Sequence, residues 1–143
     1  DRIINFFPED RRQQLLMDLS LNLKSLVSQR LIPDANGNGR VAAVEIMINS
    51  PLMADLIFKG QVHDIKELIA KSNELGMQTF DQALFNLLEN GQIRYEDALR
   101  NADSVNDLRL RIKLEGKGAK SNDLMDGLDE ITVEDQDDHA RIR

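Results

Sequence analysis

The sequence predicts a mainly α-helical domain that contains one β-hairpin and is followed by a disordered acidic tail. Residues 8–27 and the segments after residue 50 place apolar residues three and four positions apart, which is typical of amphipathic helices. Residues 29–48 contain two apolar runs joined by a connection rich in glycine and asparagine, which is typical of a hairpin. Residues 121–143 carry eight acidic and two basic side chains, which favours disorder.

The first predicted helix begins at Pro8 and reaches Val27. Proline is favoured at the first helical position, and Glu9 and Asp10 interact well with the positive end of the helix dipole. Its apolar face consists of Leu15, Leu16, Leu19, Leu23, Leu26 and Val27. The chain is therefore expected to open with one long amphipathic helix.

The hairpin is predicted to pair residues 29–32 with residues 41–48. The second of these runs is rich in β-branched and apolar residues, and residues 33–39 form the connection. This connection is longer than the tightest two-residue turns, so the sequence leaves the strand register open.

Several short helices are predicted after the hairpin. Ser50 is a suitable N-cap, Pro51 suits the first helical position, and the helix should run from Leu52 to Phe58 and stop at Gly60. The next helices are predicted from Val62 to near Gly76, from a capping box at Thr79–Gln82 to Asn90–Gly91, over Tyr95–Asn101, and from Val105, capped by Ser104, to Leu114. Connections this short predict a compact antiparallel cluster.

Composition places the chain among single-domain proteins, with a body over residues 1–114 and a tail over residues 115–143. Of the net charge of −7, the last 23 residues carry −6, so the body is almost neutral. No basic face suited to nucleic acid is evident, and no apolar run approaches the ~20 residues of a membrane span. We therefore expect no nucleic-acid partner and no membrane insertion.

One motif in the hairpin connection matches the EF-hand calcium loop. The oxygen-bearing positions, the glycine and the final carboxylate of that loop correspond to Asp34, Asn36, Asn38, Gly39 and Glu45, with Arg40 between them. The positive Arg40 and the proline before Asp34 oppose calcium binding, because an EF-hand requires an incoming helix there. We favour a polar turn and expect no metal, while a calcium-binding helical protein remains the alternative.

No set of residues predicts an active site. The only histidines are His63 and His139, which lie far apart in the chain, and His63 suits a surface or packing role. The Lys-Ser pair at residues 120–121 follows Ala119, whereas a phosphate-binding loop requires glycine there. A free-standing helical adaptor, whose acidic tail docks through residues 124–131, is therefore a second alternative.

Four segments carry a resemblance to a known family: DRIINFFPEDRRQQ, SQRLIPDANGNGRVAAVEIMINSP, ELGMQTFDQAL and GQIRYEDAL. Together they resemble the C-terminal part of the type IV pilus retraction ATPases, the PilT/PilU family that drives twitching motility, and most closely its PilU branch. The similarity runs from Asp1 to about Leu114 and keeps the family order.

This resemblance implies a P-loop secretion ATPase with a RecA-like α/β fold. It implies a cytoplasmic homo-hexamer at the inner-membrane base of the pilus, which uses ATP and Mg²⁺ and contacts a partner retraction ATPase and the pilus-base machinery. The nucleotide-binding motifs of the family precede the segment corresponding to Asp1. We therefore expect this segment to contain no catalytic or cofactor-binding residue and to serve subunit packing and partner contact.

The resemblance also indicates a contact surface. Retraction ATPases carry an AIRxLIRE-like motif on a surface helix after a Ser-Pro or Thr-Pro step, and here Ala54 and Phe58 replace the two arginines and Lys59 the glutamate. These departures favour the accessory PilU-like branch. We expect Leu52 and Leu56 to face the core. The predicted partner-contact residues are Met53, Ala54, Ile57, Phe58 and Lys59.

Overall fold

The computed structural model describes residues 2–116. Over these residues the elements follow in the order α1 (Arg2–Asn5), α2 (Arg12–Asn22), β1 (Ser25–Pro33), β2 (Arg40–Ile48), α3 (Pro51–Phe58), α4 (Val62–Lys71), α5 (Phe80–Glu89), α6 (Tyr95–Asn101) and α7 (Val105–Glu115). Short 3₁₀ turns cover Glu9–Arg11 and Asn73–Leu75. The predicted fold class, mainly helical with one antiparallel hairpin, is confirmed.

The predicted long first helix is wrong at both ends. A 3₁₀ turn follows Pro8, α2 begins only at Arg12, and it ends at Asn22 because Leu23 adopts extended dihedral angles. Leu19, Leu23 and Leu26 nevertheless pack against the same apolar cluster. The spacing of three and four residues therefore arose from a helix and a strand that contribute to one core.

The hairpin is longer than predicted, since β1 begins at Ser25 rather than at residue 29. Its antiparallel register pairs Ser25 with Ile48 and Pro33 with Arg40. The connection is closed by a hydrogen bond from the Asp34 N–H to the Gly39 carbonyl at 3.0 Å. At the opposite edge of β2, Ile46 exchanges two backbone hydrogen bonds with Gln78, which ties the hairpin to the segment before α5.

The predicted helices after residue 50 are confirmed, with one adjustment. The predicted capping box is present, because the side chains of Thr79 and Gln82 each bond the other residue's backbone N–H. Ser104 Oγ accepts a hydrogen bond from the N–H of Asp107 at the start of α7. The second of these helices, α4, ends at Lys71, and only a 3₁₀ turn continues to Gly76.

Two apolar clusters form the core. The first joins α5, α6 and α7 to the inner face of the hairpin, and the second lies between α2, β2, α3 and α4. The buried members of the first are Ile32, Ala43, Phe80, Ala83, Leu84, Phe85, Ile93, Ala98 and Leu108. Those of the second are Met47, Met53, Ile57, Ile69 and Met77. The hairpin therefore links both clusters.

The predicted boundary between body and tail lies one residue before the end of α7. Residues 117–143, which include most of the predicted tail and its possible docking segment, lie outside the described residues. The division into a body over 1–114 and a tail over 115–143 therefore stays a prediction. No helix between residues 2 and 116 is long and apolar enough to cross a membrane.

Candidate functional site

Helix α3 carries the predicted partner-contact residues, and local sequence fixes both of its ends. Ser50 Oγ accepts a hydrogen bond from the Met53 N–H at 3.2 Å, and Pro51 occupies the first turn, where its missing N–H costs nothing. The helix ends at Phe58, and Gly60 follows with a φ angle of +68°, which glycine adopts most easily. The orientation of α3 is therefore well determined by its flanking residues.

The predicted orientation of α3 about its axis is wrong. Met53 is fully buried and Ile57 is 6% exposed, whereas Leu52, predicted to face the core, is 56% exposed. Met53 and Ile57 lie one turn apart and enter the cluster that also contains Leu19 and Ile65. Periodicity shows which residues share a face of a helix, but the neighbouring helices decide which face is covered.

The outer surface of α3 is formed by Leu52, Asp55, Phe58 and Lys59, which share one side of the helix. Phe58 is 51% exposed, and Lys59 Nζ lies 2.7 Å from Asp55 Oδ2. Ala54 is half-buried at the margin. An exposed ion pair of this kind contributes little to stability. The Lys59 and Asp55 side chains are 54% and 46% exposed, so both charges are accessible to a partner. Partner contact through Ala54, Phe58 and Lys59 stays a prediction.

The connection between the strands is a hairpin turn and does not have the shape of an EF-hand. A strand rather than a helix enters it, and the Asp34 carboxylate accepts hydrogen bonds from the backbone and side chain of Asn36. Glu45 lies five residues beyond Arg40 along β2, roughly 17 Å away at the rise of a strand. It cannot converge with Asp34, Asn36 and Asn38 on one ion, so the calcium alternative is wrong.

Arg94 fixes this connection to the helical part of the molecule. Its Nε and Nη2 atoms both donate to the Ala35 carbonyl, at 3.1 and 3.0 Å, and the Ala35 N–H donates to the Gln92 carbonyl at 2.9 Å. The position of the hairpin is therefore set by the segment between α5 and α6. Nothing in the sequence indicated this contact, because Ala35 and Arg94 lie 59 residues apart.

A network of charged residues joins β1 to the segment between α6 and α7. Arg30 donates to the Asn101 carbonyl at 2.6 Å and to Asp103 Oδ1 at 2.8 Å, and its guanidinium lies 4.1 Å from the centre of the Phe80 ring. Lys66 Nζ lies 3.1 Å from Asp103 Oδ2. The sequence did not predict this network, because its members come from four separate segments of the chain.

The pKa values of Glu45 and Asp103, two of the carboxylates in this region, are shifted in opposite directions. Partial burial and the neighbouring Asp103 raise the pKa of Glu45, against the opposing effects of Lys66, the Phe80 N–H and Arg30. Burial by itself would raise the pKa of Asp103, but hydrogen bonds from Arg30 and Lys66 outweigh it and lower that pKa. Both groups line an open cleft of about 440 Å³. The contacts of this network indicate a structural role, in which it holds β1 against the segment between α6 and α7.

Residues 2–116 contain no cluster of three or more His, Asp or Glu side chains that could hold a metal ion. His63, whose side chain is 91% exposed, has Nε2 4.0 Å from Glu67 Oε1, which agrees with a surface position. The expectation that ATP and Mg²⁺ bind elsewhere in the parent protein stays a prediction.

Comparison with known proteins identifies the family. The type IV pilus ATPase PilU of Pseudomonas aeruginosa is 56% identical over 94% of this chain, and the pilus retraction ATPase PilT of the same bacterium is 39% identical over 71%. The crystal structure of the pilus retraction motor PilT with bound ADP superposes with a TM-score of 0.66, at 31% identity over 76% of the chain. No protein-family model matches.

More distant structures agree on the fold. The ATPase DotB of Legionella pneumophila superposes with a TM-score of 0.53 at 18% identity, which supports the fold alone. The chain spans 36% of the length of PilU and 29% of that of PilT. This partial coverage agrees with the prediction that it corresponds to the C-terminal part of such an ATPase. The chain belongs to the PilT/PilU family of type IV pilus ATPases.

Proposed function

We propose that this chain is the C-terminal part of a cytoplasmic hexameric ATPase that powers or assists type IV pilus retraction and twitching motility. The observation that carries the proposal is the 56% identity to PilU over 94% of the chain. In this proposal ATP and Mg²⁺ bind elsewhere in the parent protein, and the present segment serves packing and partner contact.

The open edge of the hairpin supports a packing role. The backbone groups of Ile46 bond to Gln78 and therefore point away from β1. Val27 lies opposite Ile46 in the antiparallel register, so its N–H and C=O groups point away from β2. Those of Gln29 and Leu31 do the same, because backbone direction alternates along a strand. The described residues supply no backbone partner for these three. An unpaired edge of this length readily accepts a further strand. We infer that more of the sheet lies in the remainder of the ATPase domain.

The outer face of the same hairpin supports this inference. Val27 is 63% exposed, Leu31 is 53% exposed, and the cross-strand partner of Ser25, Ile48, is 36% exposed. Exposed apolar residues that form a contiguous patch mark a contact site in most soluble proteins. We assign this face to packing within the parent ATPase and the α3 outer surface to the partner ATPase and the pilus-base machinery.

A chimaera tests the proposal. The corresponding segment of P. aeruginosa PilU is replaced by the present 143 residues, and hexamer formation, ATP hydrolysis and twitching are measured beside PilU itself. We expect all three to be retained. A chimaera that fails to assemble would contradict the packing role. One that assembles and hydrolyses ATP like PilU but supports no twitching would contradict the role in the pilus.

The contact surface is tested in the same chimaera. Phe58→Ala should reduce twitching while leaving hexamer formation and ATP hydrolysis unchanged, because the side chain is half exposed and belongs to neither buried cluster. Leu110→Ala is the matched control, since Leu110 is 57% exposed on α7, away from α3. Equal effects of both substitutions, or none from Phe58→Ala, would remove the assignment of α3 as a contact surface.

A further inference from the structure

The hairpin connection contains two consecutive Asn-Gly pairs, at residues 36–37 and 38–39, and a third pair at residues 90–91 ends α5. All three asparagines are exposed. An asparagine followed by glycine is chemically labile, because glycine has no side chain to hinder attack by its backbone nitrogen on the asparagine amide. The three pairs are equivalent in sequence, but their surroundings differ in the structure.

We propose that Asn38 is a site of spontaneous deamidation and that it reacts before Asn36 and Asn90. The Gly39 nitrogen attacks Cγ of Asn38, a carbon–nitrogen bond forms, and the side-chain amide leaves as ammonia. Hydroxide accepts the proton lost from the Gly39 nitrogen, and water supplies the proton with which the side-chain nitrogen leaves as ammonia. Water then opens the cyclic imide at one of its two carbonyls and yields aspartate or isoaspartate. The net reaction consumes one water and releases one ammonia, with no change of oxidation state.

The attacking nitrogen distinguishes the three sites. The Gly37 N–H donates to the Asp34 carbonyl at 2.9 Å, and the Gly91 N–H donates to the Leu88 carbonyl at 2.8 Å. The Gly39 N–H, by contrast, has no acceptor among residues 2–116. The attack removes this proton, so a hydrogen bond that holds it must be broken first. Only Gly39 is free of that cost.

The side chains of the two asparagines in the hairpin connection differ in the same sense. Asn36 Nδ2 and its backbone N–H both donate to Asp34 Oδ1, at 3.3 and 3.1 Å, which restrains the turn around the first pair. The Asn38 side chain has no hydrogen-bond partner in the described part of the chain. A side chain that rotates freely reaches the geometry of attack more often than one that is held. The Asn90 side chain likewise has no hydrogen-bond partner among the described residues. The side chain therefore separates Asn38 only from Asn36, whereas the unbonded Gly39 nitrogen separates Asn38 from both other sites.

The reaction would change the connection itself. Isoaspartate adds one methylene to the backbone between residues 38 and 39, and the Gly39 carbonyl is the acceptor of the bond from Asp34 that closes the loop. The product also places a second carboxylate near Asp34. Arg94 holds Ala35 independently of this bond, so the connection should loosen while the hairpin stays attached.

The experiment follows the three sites by peptide mass mapping during incubation of the 143-residue chain at mildly alkaline pH. In the folded chain, conversion of Asn38 should exceed that of Asn36 and of Asn90 by about fivefold, the factor that corresponds to one hydrogen bond of roughly 1 kcal/mol. In concentrated urea the three rates should become similar, because the sequence context is Asn-Gly at every site.

Gly39→Ala provides the matched variant. A Cβ at this position would meet no atom within 4 Å, and Gly39 does not have a positive φ angle, so alanine should be accommodated. It should slow the reaction at Asn38 and leave Asn36 and Asn90 unchanged. The proposal is overturned if Asn36 or Asn90 reacts as fast as Asn38 in the folded chain. It is equally overturned if the order persists in urea or if Gly39→Ala has no effect.

Discussion

Truncation of two neighbouring apolar residues on α3 should have very different effects on stability. Met53 is fully buried in the second cluster, while Phe58, five residues later, is 51% exposed. The substitutions Met53→Ala and Phe58→Ala therefore compare a core position with a surface position on the same short helix. They also test the corrected orientation of α3, since sequence periodicity had placed Met53 on the outside.

The expected magnitudes follow from burial. Met53→Ala removes a side chain from a packed site and leaves a cavity, which costs about 2–5 kcal/mol of unfolding free energy. Fully burying a phenylalanine is worth roughly 1.5–3 kcal/mol, so a side chain half in water should lose about 1 kcal/mol when truncated. No cavity is added there, because solvent fills the space that Phe58 leaves.

Urea unfolding followed by circular dichroism measures the difference. With a slope of roughly 2 kcal/mol per molar urea, Met53→Ala should lower the midpoint by about 1 M or more, and Phe58→Ala by about 0.5 M. If Met53→Ala does not fold, Met53→Leu keeps the volume and should cost less than about 1.5 kcal/mol. A greater loss from Phe58→Ala than from Met53→Ala would refute the orientation of α3.

Four further predictions concern the two shifted carboxylates, the hairpin connection and nucleotide binding. Because burial raises the pKa of Glu45, the stability that this group contributes is fully present below its unfolded pKa and is lost as pH rises through its folded pKa. Glu45→Gln should flatten this fall in unfolding free energy, measured by urea unfolding at acidic and neutral pH. The lowered pKa of Asp103 has the opposite effect: the stability that Asp103 contributes is present above its unfolded pKa and is lost as pH falls through its folded pKa. Asp103→Asn should remove this contribution to the unfolding free energy. Arg94→Ala should accelerate amide exchange at Ala35, whereas unchanged protection there would show that Arg94 does not hold the connection. The 143-residue chain should not bind ATP in equilibrium dialysis, and micromolar affinity would place the nucleotide site within it.

The starts of α3, α5 and α7 were predictable because capping is local. Ser50, Thr79 and Ser104 each bond an N–H within their own first turn, so a few consecutive residues contain the whole interaction. The same holds for the helix-ending glycines, since a left-handed φ angle is a property of one residue. These signals located α3 and α5 correctly before any packing was known.

The boundary between α2 and β1 was not predictable by the same means. Leu23 and Leu26 have helical spacing relative to Leu19, and they do reach the same cluster, but from an extended segment. Apolar periodicity reports that residues share a core and does not report the backbone path between them. The charged network could not be predicted from the sequence either, because Arg30 and Asp103 are 73 residues apart.

Sequence by itself determined the caps of α3, α5 and α7, the existence of the hairpin and the family. Each of these depends on neighbouring residues or on similarity along the chain. Only the tertiary structure decided that Met53 and Ile57 face inward, that Glu45 is remote from Asp34, and that Arg94 holds the hairpin connection. These features depend on which surfaces meet across long separations, and the free energy of burial, rather than local preference, selects among the arrangements that the sequence pattern allows.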